Sequence, residues 1–454
     1  MVLADKLLLR SSPSEDTTPE TGIMLGHALS IEHTKVVVGT DLMKSSQMMK
    51  NALIAGLVSS GVDVIDIGEV SGPVIAYAAK MGDCAVYVTE FRQMDLMSGY
   101  LLMNKDGGYF GIEQIRHLDS IFSGKITLPD YRSLGTVKRY YNAVSDYNNK
   151  VLSILKDTPG GSMVLNCNCG LSTDSAPQIM NSLGADIVSI NAHKDRNFIS
   201  NSLSTKEADI LHMKILVEAN AGAAGISFNR IGTLLRVFDE TGIPLTNEEV
   251  LAILILYMKP KKIVVPMDIM WFIEDVYRGK VKTEVSSPYP DPDAEETEFI
   301  VAYPSAGDVH DAMAENNADL GYYDGGFIFG NVSYSPDSIL AAILITQFCG
   351  NNTISETVKS FPEYYTETKT YRISCPKADF VRMIGENLPD VSPIDIMEKE
   401  GCWRVYMTGG GFYVSLDEDS EDIVTVLAES NDKLYLISLM EVIDGLMESC
   451  ASGQ

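Results

Sequence analysis

Residues able to do chemistry are sparse in the stretch from Thr89 to Leu102, which follows an alternating apolar strand pattern at Cys84 to Val88. A loop at the carboxyl end of a strand is where α/β proteins commonly place their ligand-binding residues. This stretch offers the hydroxyl of Thr89 and the single arginine Arg92, but no histidine, no serine beside a base and no glycine-rich phosphate loop. We therefore expect weak attraction for an anion here and no nucleophilic or acid–base chemistry.

The other candidates for chemistry are scattered along the chain. The six histidines include no pair at i, i+3 or i+4, the spacing that places two metal ligands on one helix face. His310 lies close to Asp308 and Asp311 and is expected near the start of a helix without a catalytic role. Cys167 and Cys169 have no second Cys or His pair nearby at zinc spacing, so no metal site is predicted.

Composition limits the classes of partner. The 454 residues suffice for about three domains of ~150 residues each. The formal net charge of −27, from 35 Lys and Arg against 62 Asp and Glu, argues against nucleic acid and anionic membranes as partners. Seven scattered cysteines are typical of a reducing compartment. Without a signal-peptide pattern or a run of about 18 apolar residues, we expect a soluble, cytoplasmic protein.

Alternating strand and helix patterns must position the candidate residues. Val36 to Val38 predicts a short buried strand that ends in Gly39-Thr40-Asp41, and a helix at about Ser45 to Ser60 leads to a second strand at Asp63 to Gly68. Strands that alternate with helices predict a mostly parallel sheet with helices on both faces. The pattern Thr246-x-x-Glu249 predicts a capping box at the start of a later helix.

This framework resembles the α-D-phosphohexomutase family, the phosphoglucomutases and phosphomannomutases. The similarity is strongest from Lys35 to Leu57, which contains Val-Val-Val-Gly-x-Asp and Asn-Ala-Leu-Ile-Ala-Gly-Leu. The resemblance implies an α/β fold with three mixed α/β sandwich domains and a smaller C-terminal α+β domain around a central cleft. The implied domain boundaries are 1–148, 149–245, 246–362 and 363–454.

The family's phosphoserine and metal loops have counterparts that lack the family's residues. In an alignment without gaps from Thr89, the phosphorylated serine falls on Phe91, which has no oxygen to phosphorylate. The three carboxylates that bind Mg²⁺ in the family fall on Asn229, Ile231 and Thr233. Because Mg²⁺ needs oxygen ligands, the resemblance implies that the metal site is lost.

The sugar and phosphate loops differ as well. The family's sugar-binding glutamate falls on Tyr322 and the serine of the same loop on Asp324, which we expect to serve as a turn residue beside two glycines. The family's C-terminal phosphate loop falls on Ser415 to Asp422, where five carboxylates would repel a dianion. All four functional loops therefore depart from the family motifs together.

These departures predict no catalytic residue and no metal ligand, and they leave seven candidate cleft residues. The seven are Thr89, Arg92, Asn229, Arg230, His310, Tyr322 and Asp324. The expected function is a non-catalytic binding, regulatory or structural subunit that pairs with another protein, such as a paralogous mutase or a second copy. Two alternatives stay open: an enzyme with a rebuilt cleft that acts on a sugar phosphate, and a sensor that binds a small-molecule metabolite in that cleft.

Overall fold

The chain is described by a computed structural model that covers residues 18–91, 97–122, 129–197, 207–293, 296–416 and 422–451. It forms two compact units. The first comprises residues 1–264, 285–300 and 305–358, and the second comprises residues 265–284, 301–304 and 359–454. Within the described ranges, no helix is both long enough and apolar enough to span a membrane.

The first sheet contains five strands in a mostly parallel arrangement. The strands are β1 (Lys35–Thr40), β2 (Asp63–Glu69), β3 (Cys84–Phe91), β4 (Met97–Asn104) and β5 (Val137–Arg139). Their spatial order is β4-β3-β1-β2-β5, and β3 and β4 form the antiparallel pair. The helices that accompany them are α1 (Pro19–Leu29), α2 (Lys44–Ser59), α3 (Gly72–Ala78) and α4 (Ile112–Phe122).

The sequence explains the burial of β1 and the close packing of the helices α1 and α2. The side chains of Val36 to Val38 are completely buried, as expected for a strand covered on both faces. Two glycines allow α1 and α2 to approach closely. A Cβ at Gly26 would lie 2.5 Å from the Leu57 nitrogen, and one at Gly56 would lie 2.3 Å from the Ile23 oxygen. A larger residue at either position would force the two helices apart.

The strands around the predicted Thr89 loop are longer than the sequence pattern indicates. The pattern places the strand ends at Val88 and Tyr100, whereas the ladder continues through Thr89 opposite Gly99 and Phe91 opposite Met97. Antiparallel backbone hydrogen bonds hold these residues in the strands. Backbone pairing does not require alternating apolar side chains, so the sequence pattern does not reveal it. The predicted cleft residue Arg92 lies outside the described residues.

The second and third sheets repeat the mixed arrangement. The second sheet, in the order β7-β6-β8-β9, has parallel pairs on both sides of its second strand and an antiparallel final hairpin. Its elements are α5 (Ala143–Ile154), β6 (Ser162–Asn166), α6 (Ala176–Ser182), β7 (Asp186–Ile190), α7 (Glu207–Ala219), β8 (Ala224–Phe228) and β9 (Leu235–Phe238).

The third sheet has the order β11-β10-β12-β13 and also ends in an antiparallel hairpin. Its elements are α8 (Asn247–Met258), β10 (Lys262–Pro266), β11 (Glu298–Ala302), α10 (Ala306–Asn316), β12 (Leu320–Tyr323), β13 (Gly326–Phe329), α11 (Ser338–Phe348) and α12 (Ile354–Val358). The helix α9 (Trp271–Tyr277) follows β10 in the chain and belongs to the second unit. The predicted capping box is confirmed: Glu249 N donates to Thr246 Oγ1 at 3.1 Å, and Thr246 N donates to Glu249 Oε2 at 2.8 Å.

The C-terminal sheet is entirely antiparallel, in the order β14-β18-β17-β16-β15. Its elements are β14 (Tyr365–Arg372), α13 (Lys377–Asn387), β15 (Asp395–Lys399), β16 (Cys402–Met407), β17 (Gly410–Leu416), β18 (Ile423–Ser430) and α14 (Lys433–Ala451). Three mixed sheets and one antiparallel C-terminal sheet confirm the predicted fold class. The four domain boundaries and the central cleft stay predictions.

Inside the second unit, the C-terminal sheet is covered on both faces. The face that includes Val405 and Phe412 packs against α13 and α14. The opposite face holds the completely buried Arg404, whose Nη1 donates to the carbonyl oxygens of Met267 at 2.7 Å and Ile269 at 2.6 Å. Its guanidinium lies 3.7 Å from the ring centroid of Trp271. Segment 265–284 is thus part of the core of this unit.

Candidate active site at the strand ends

Thr89 is a buried hydroxyl near the carboxyl end of β3. Its Oγ1 donates to Asp41 Oδ2 at 3.0 Å, and Asp41 directly follows β1, the parallel neighbour of β3. The other oxygen of Asp41 accepts from Met43 N at 2.9 Å. Burial and then the charge of Asp41 raise the pKa of Tyr87 well above its ordinary value. The sheet edge therefore holds a hydroxyl in direct contact with a carboxylate, a pairing suited to activating the hydroxyl.

Asn229 begins the loop of the β8–β9 hairpin and stabilises it. Its Oδ1 accepts from Thr233 N at 2.9 Å and from Leu234 N at 3.2 Å, and its Nδ2 donates to Thr233 Oγ1 at 2.9 Å. The loop also contacts α3, since Gly72 N donates to Ile231 O at 2.8 Å. Backbone hydrogen bonds therefore fix the loop both internally, through Asn229, and to the start of α3, through Ile231.

This hairpin loop does not fit a magnesium ion. The side-chain oxygen of Asn229 is occupied by two N–H donors, and Ile231 supplies no side-chain ligand. Across the described ranges, no group of three or more His, Cys, Asp and Glu side chains is arranged to hold a metal ion. The absence of a magnesium requirement, which the sequence predicts, stays a prediction.

Arg230, the next residue of the loop, reaches across to the first sheet. Its Nη2 donates to Asp195 O at 2.9 Å, and its Nη1 approaches the sulfur of Met43 at 3.5 Å. Its own carbonyl accepts from Leu171 N at 2.8 Å, which fixes the backbone. Contacts therefore link Thr89, Asp41, Met43 and Arg230 in a row, and we refer to these four residues as the strand-end cluster.

His310 is buried on α10 and anchors that helix to the turn after β4. Its Nδ1 accepts from Tyr109 N at 2.9 Å, and the two rings lie 4.7 Å apart. Burial lowers the pKa of His310 to about 3, so the ring is neutral near pH 7 with its proton on Nε2. A neutral, buried ring positions the turn and is not suited to act as a general acid.

Tyr322 and Asp324 lie on the β12–β13 hairpin. The hydroxyl of Tyr322 donates to Glu248 Oε1 at 2.9 Å, which ties the strand to the first turn of α8. Asp324 has φ +46° and Gly325 has φ +76°, the left-handed pair that a tight two-residue hairpin requires. This geometry agrees with the turn role expected for Asp324. Among the candidate cleft residues, Thr89 and Arg230 are joined in one cluster by the contacts given above.

Asp41 and Met43 are not among the site residues that the sequence predicts. Gly39-Thr40-Asp41 is visible as the end of a predicted strand, but the adjacency of β1 and β3 is needed to bring Asp41 to Thr89. The rule that ligands bind at the carboxyl ends of parallel strands supplies the signal. Met43 has no such signal, because a methionine that accepts a hydrogen bond from an arginine has no sequence pattern of its own.

Comparisons with known proteins agree with this fold. Residues 10–127 match the model of the phosphoglucomutase/phosphomannomutase alpha/beta/alpha domain I. A relative from Methanococcoides burtonii, named "Probable phosphoglucosamine mutase", is 27% identical over 436 residues, covering 94% of this chain and 95% of the relative. A phosphopentomutase from Thermococcus kodakarensis is 26% identical over 432 residues, covering 93% of this chain and 92% of the relative.

A solved structure shares the fold over nearly the whole chain. It is a phosphoglucomutase/phosphomannomutase family protein from Burkholderia thailandensis, with a TM-score of 0.80 and 16% sequence identity. The match covers 98% of this chain and 97% of that one. The architecture is thus shared from end to end, although few residues are.

The expectation of a non-catalytic subunit is wrong. Relatives that align with almost the full length of this chain are named as mutases, and the named activity is catalytic. The expectation rested on comparing the family's four functional loops with this sequence position by position. Such a comparison fails when a neighbouring residue supplies the same chemical group. Thr89 lies two residues before Phe91 in the sequence, and Arg230 lies one residue before Ile231.

The four sheets, the matched first domain and the similarity to named mutases over nearly the full length of the chain support membership of the α-D-phosphohexomutase family.

Proposed function

We propose that the protein is a phosphosugar mutase, an enzyme that moves a phosphoryl group between two oxygens of one sugar. The observation that carries the proposal is the Thr89–Asp41 pair at the carboxyl ends of two adjacent parallel strands. Similarity over nearly the full length of relatives named as mutases supports it. The names of these relatives make a glucosamine phosphate the first substrate to test and a pentose phosphate the second.

The strand-end cluster suits a phosphoryl carrier. Thr89 lies two residues before Phe91, the aligned position of the family's phosphoserine, and its hydroxyl donates a hydrogen bond to Asp41. In the proposed cycle, the Thr89 oxygen attacks the phosphorus of the sugar phosphate. Asp41 takes the threonine proton and passes it to the departing sugar oxygen. The reverse steps return the phosphoryl group to a different oxygen of the same sugar.

Access to Thr89 is an additional requirement of this proposal. The residue is completely buried, so the end of β3 has to open before a sugar reaches the hydroxyl. Local openings of strand ends cost much less than global unfolding and are common at ligand sites. The buried state also excludes water, which would otherwise compete with the sugar for the phosphoryl group.

The test is a coupled mutase assay with glucosamine, glucose, mannose and pentose phosphates, each with its sugar bisphosphate, with and without Mg²⁺. We expect turnover of at least one substrate. Thr89→Val, which removes the hydroxyl but keeps the shape, should lower kcat by about 100-fold or more, whereas Thr89→Ser should retain activity. Phosphate on the peptide that contains Thr89 should appear in the wild type and not in Thr89→Val.

Thr40→Val is the matched control, because Thr40 is also a buried threonine at the end of a strand of the same sheet. Its Oγ1 has no hydrogen-bond partner among the described residues. We expect this variant to keep the activity of the wild type. Absence of turnover with every substrate would refute the proposed function. Turnover that is unaffected by Thr89→Val would retain the function but reject Thr89 as the carrier.

A further inference from the structure

The charge of Arg230 is not neutralised by any described residue. The side chain is only partly exposed, and its two hydrogen bonds go to a backbone carbonyl and to a thioether. Its Nε is buried and has no hydrogen-bond partner within the described part of the chain. A guanidinium has five N–H donors, and a thioether is a weak acceptor. Partly buried arginines normally pair with a carboxylate or a phosphate, so Arg230 is suited to an anionic partner.

The location of Arg230 indicates what this partner is. The residue follows β8 at the carboxyl end of parallel strands, the edge at which α/β sheets bind ligands. Arg230 contacts Met43, which lies two residues after Asp41 in the sequence. Asp41 is the carboxylate that accepts the hydrogen bond from Thr89. A cation next to a proposed phosphoryl carrier has the charge that a phosphate ester needs.

The hairpin holds Arg230 in place before any ligand binds. Asn229 closes the loop through three side-chain hydrogen bonds, and a Cβ at Gly170 would lie 2.5 Å from the Arg230 oxygen. The neighbouring loop therefore packs directly on the Arg230 backbone. A charge fixed in this way loses little entropy when it binds an anion. The same hairpin does not fit a magnesium ion, so its positive charge comes from the arginine.

We infer that Arg230 binds the phosphate group of the phosphosugar at the strand-end cluster and supplies there, from the chain itself, the positive charge that a divalent cation would supply. The ligand class rests on the proposed function, whereas the anion site rests on the contacts of Arg230. Binding of a phosphate at this site accordingly needs no metal. Replacement of the weak sulfur contact by a phosphate oxygen gives Nη1 a charge-assisted partner.

The experiment is isothermal titration of the full-length protein with inorganic phosphate and with glucosamine 6-phosphate, in EDTA and in Mg²⁺. We expect binding that is equal in the two buffers. Arg230→Gln should weaken the affinity by about tenfold or more, and Arg230→Lys, which keeps the charge but loses the planar fork, should weaken it by a smaller factor.

Arg196→Gln is the matched control. Arg196 also lies after a strand of the second sheet, but its charge is already paired with Glu69. We expect its substitution to change the affinity by less than about twofold. Thermal melts of each variant show whether a loss of binding reflects unfolding. Arg230→Lys keeps the positive charge and serves as a second variant for comparison if Arg230→Gln does not fold.

Equal affinity in the wild type and in Arg230→Gln would overturn the inference, and so would binding that EDTA abolishes and Mg²⁺ restores. Weakening by Arg196→Gln as large as that by Arg230→Gln would assign the effect to general charge. If phosphate binding depends on Arg230 but no sugar phosphate is turned over, the inference stands and the proposed mutase activity fails. The two hypotheses are thus separated by one titration and one assay.

Discussion

Single residues at the candidate site are held mainly by backbone partners from other elements. Arg230 donates to the Asp195 carbonyl, His310 accepts from the Tyr109 amide, and the carboxylate of Asp41 accepts from the Met43 amide. Such contacts set each side chain in one rotamer before a ligand arrives. Substitutions at these positions therefore act on stability as well as on binding, and a charge-preserving or shape-preserving variant is needed to separate the two.

His310 gives the clearest single-residue prediction. Burial lowers the pKa of His310 from 6.5 to about 3, so the unfolded state takes up a proton at a higher pH than the folded state. The stabilising contribution of the neutral ring is complete above pH 6.5 and is lost as the pH falls toward 3. By about pH 4 the loss should be on the order of 3 kcal/mol.

The measurement compares chemical unfolding at several pH values for the wild type and His310→Asn, whose side-chain oxygen can still accept from Tyr109 N. The wild type should lose more stability on acidification than the variant. His117→Asn, at a residue whose side chain is 55% exposed, is the control and should follow the wild type. Parallel acid profiles for the wild type and His310→Asn would contradict the prediction.

At the scale of elements, the β8–β9 hairpin is the structural feature that distinguishes this site. Its loop is closed by Asn229, contacts α3 through Ile231, and presents Arg230 toward the end of β1. The loop thus joins the ends of two sheets inside the first unit. A side chain that would bind metal in the family serves here to close a turn, and its effect on function is indirect.

We predict that Asn229→Ala destabilises the protein by about 1 to 3 kcal/mol, because two backbone N–H groups lose their acceptor. Asn229→Asp should be close to the wild type, since a carboxylate still accepts from Thr233 N and Leu234 N. Denaturant unfolding checks both values. Asn51→Ala, at an exposed position on α2, is the control. Equal stability of Asn229→Ala and Asn229→Asp would rule out this role for the amide.

At the scale of the whole first unit, a buried tyrosine and a buried aspartate connect α5 to the start of α11. The Tyr147 hydroxyl lies 2.8 Å from both carboxylate oxygens of Asp337, and Leu340 N donates to the same carboxylate at 2.9 Å. Every residue of α11 is buried, as expected for the central helix of a unit. The contact therefore lies deep inside the core.

The pH dependence of this contact has the opposite sign to that of His310. Burial raises the pKa of Asp337 from 3.8 to about 6. The folded state keeps this proton longer than the unfolded state, so the contribution to stability is complete below pH 3.8 and is lost as the pH rises through 6. Asp337→Asn cannot ionise, and its oxygen still accepts from Leu340 N.

We expect the stability of Asp337→Asn, relative to the wild type, to rise by on the order of 3 kcal/mol between pH 4 and pH 7. Thermal melts across this range provide the measurement, with Asp130→Asn at an exposed cap as the control. A difference between the wild type and Asp337→Asn that stays constant with pH would disprove the coupling.

Much of the fold follows from local sequence patterns, whereas the candidate site does not. The buried strand at Val36 to Val38, the capping box at Thr246 and the turn at Asp324 all depend on nearby residues, and each is found as expected. The bond between Thr89 and Asp41 spans 48 positions, and the bond between Tyr109 and His310 spans 201. Contacts of this kind depend on strand order and packing, which local periodicity does not specify.

The functional expectation failed for a related physical reason. It treated each aligned position as the only possible source of a chemical group. A hydroxyl or a positive charge has the same chemistry when it comes from a neighbouring residue, provided that the backbone brings it to the same place. We propose Thr89 and Arg230 as such neighbouring residues, and the tests described above decide whether they replace the family's serine and metal.

The burial of Arg404 has a consequence for how such genes evolve. Its Nη1 donates to the carbonyl oxygens of Met267 and Ile269, which lie 137 and 135 residues before it in the sequence. Exchange of the C-terminal coding segment alone between distant relatives would therefore leave a charged group facing an unmatched surface. Recombination within this lineage is expected to succeed only when both segments are inherited together, so the two should be traced as a single heritable block.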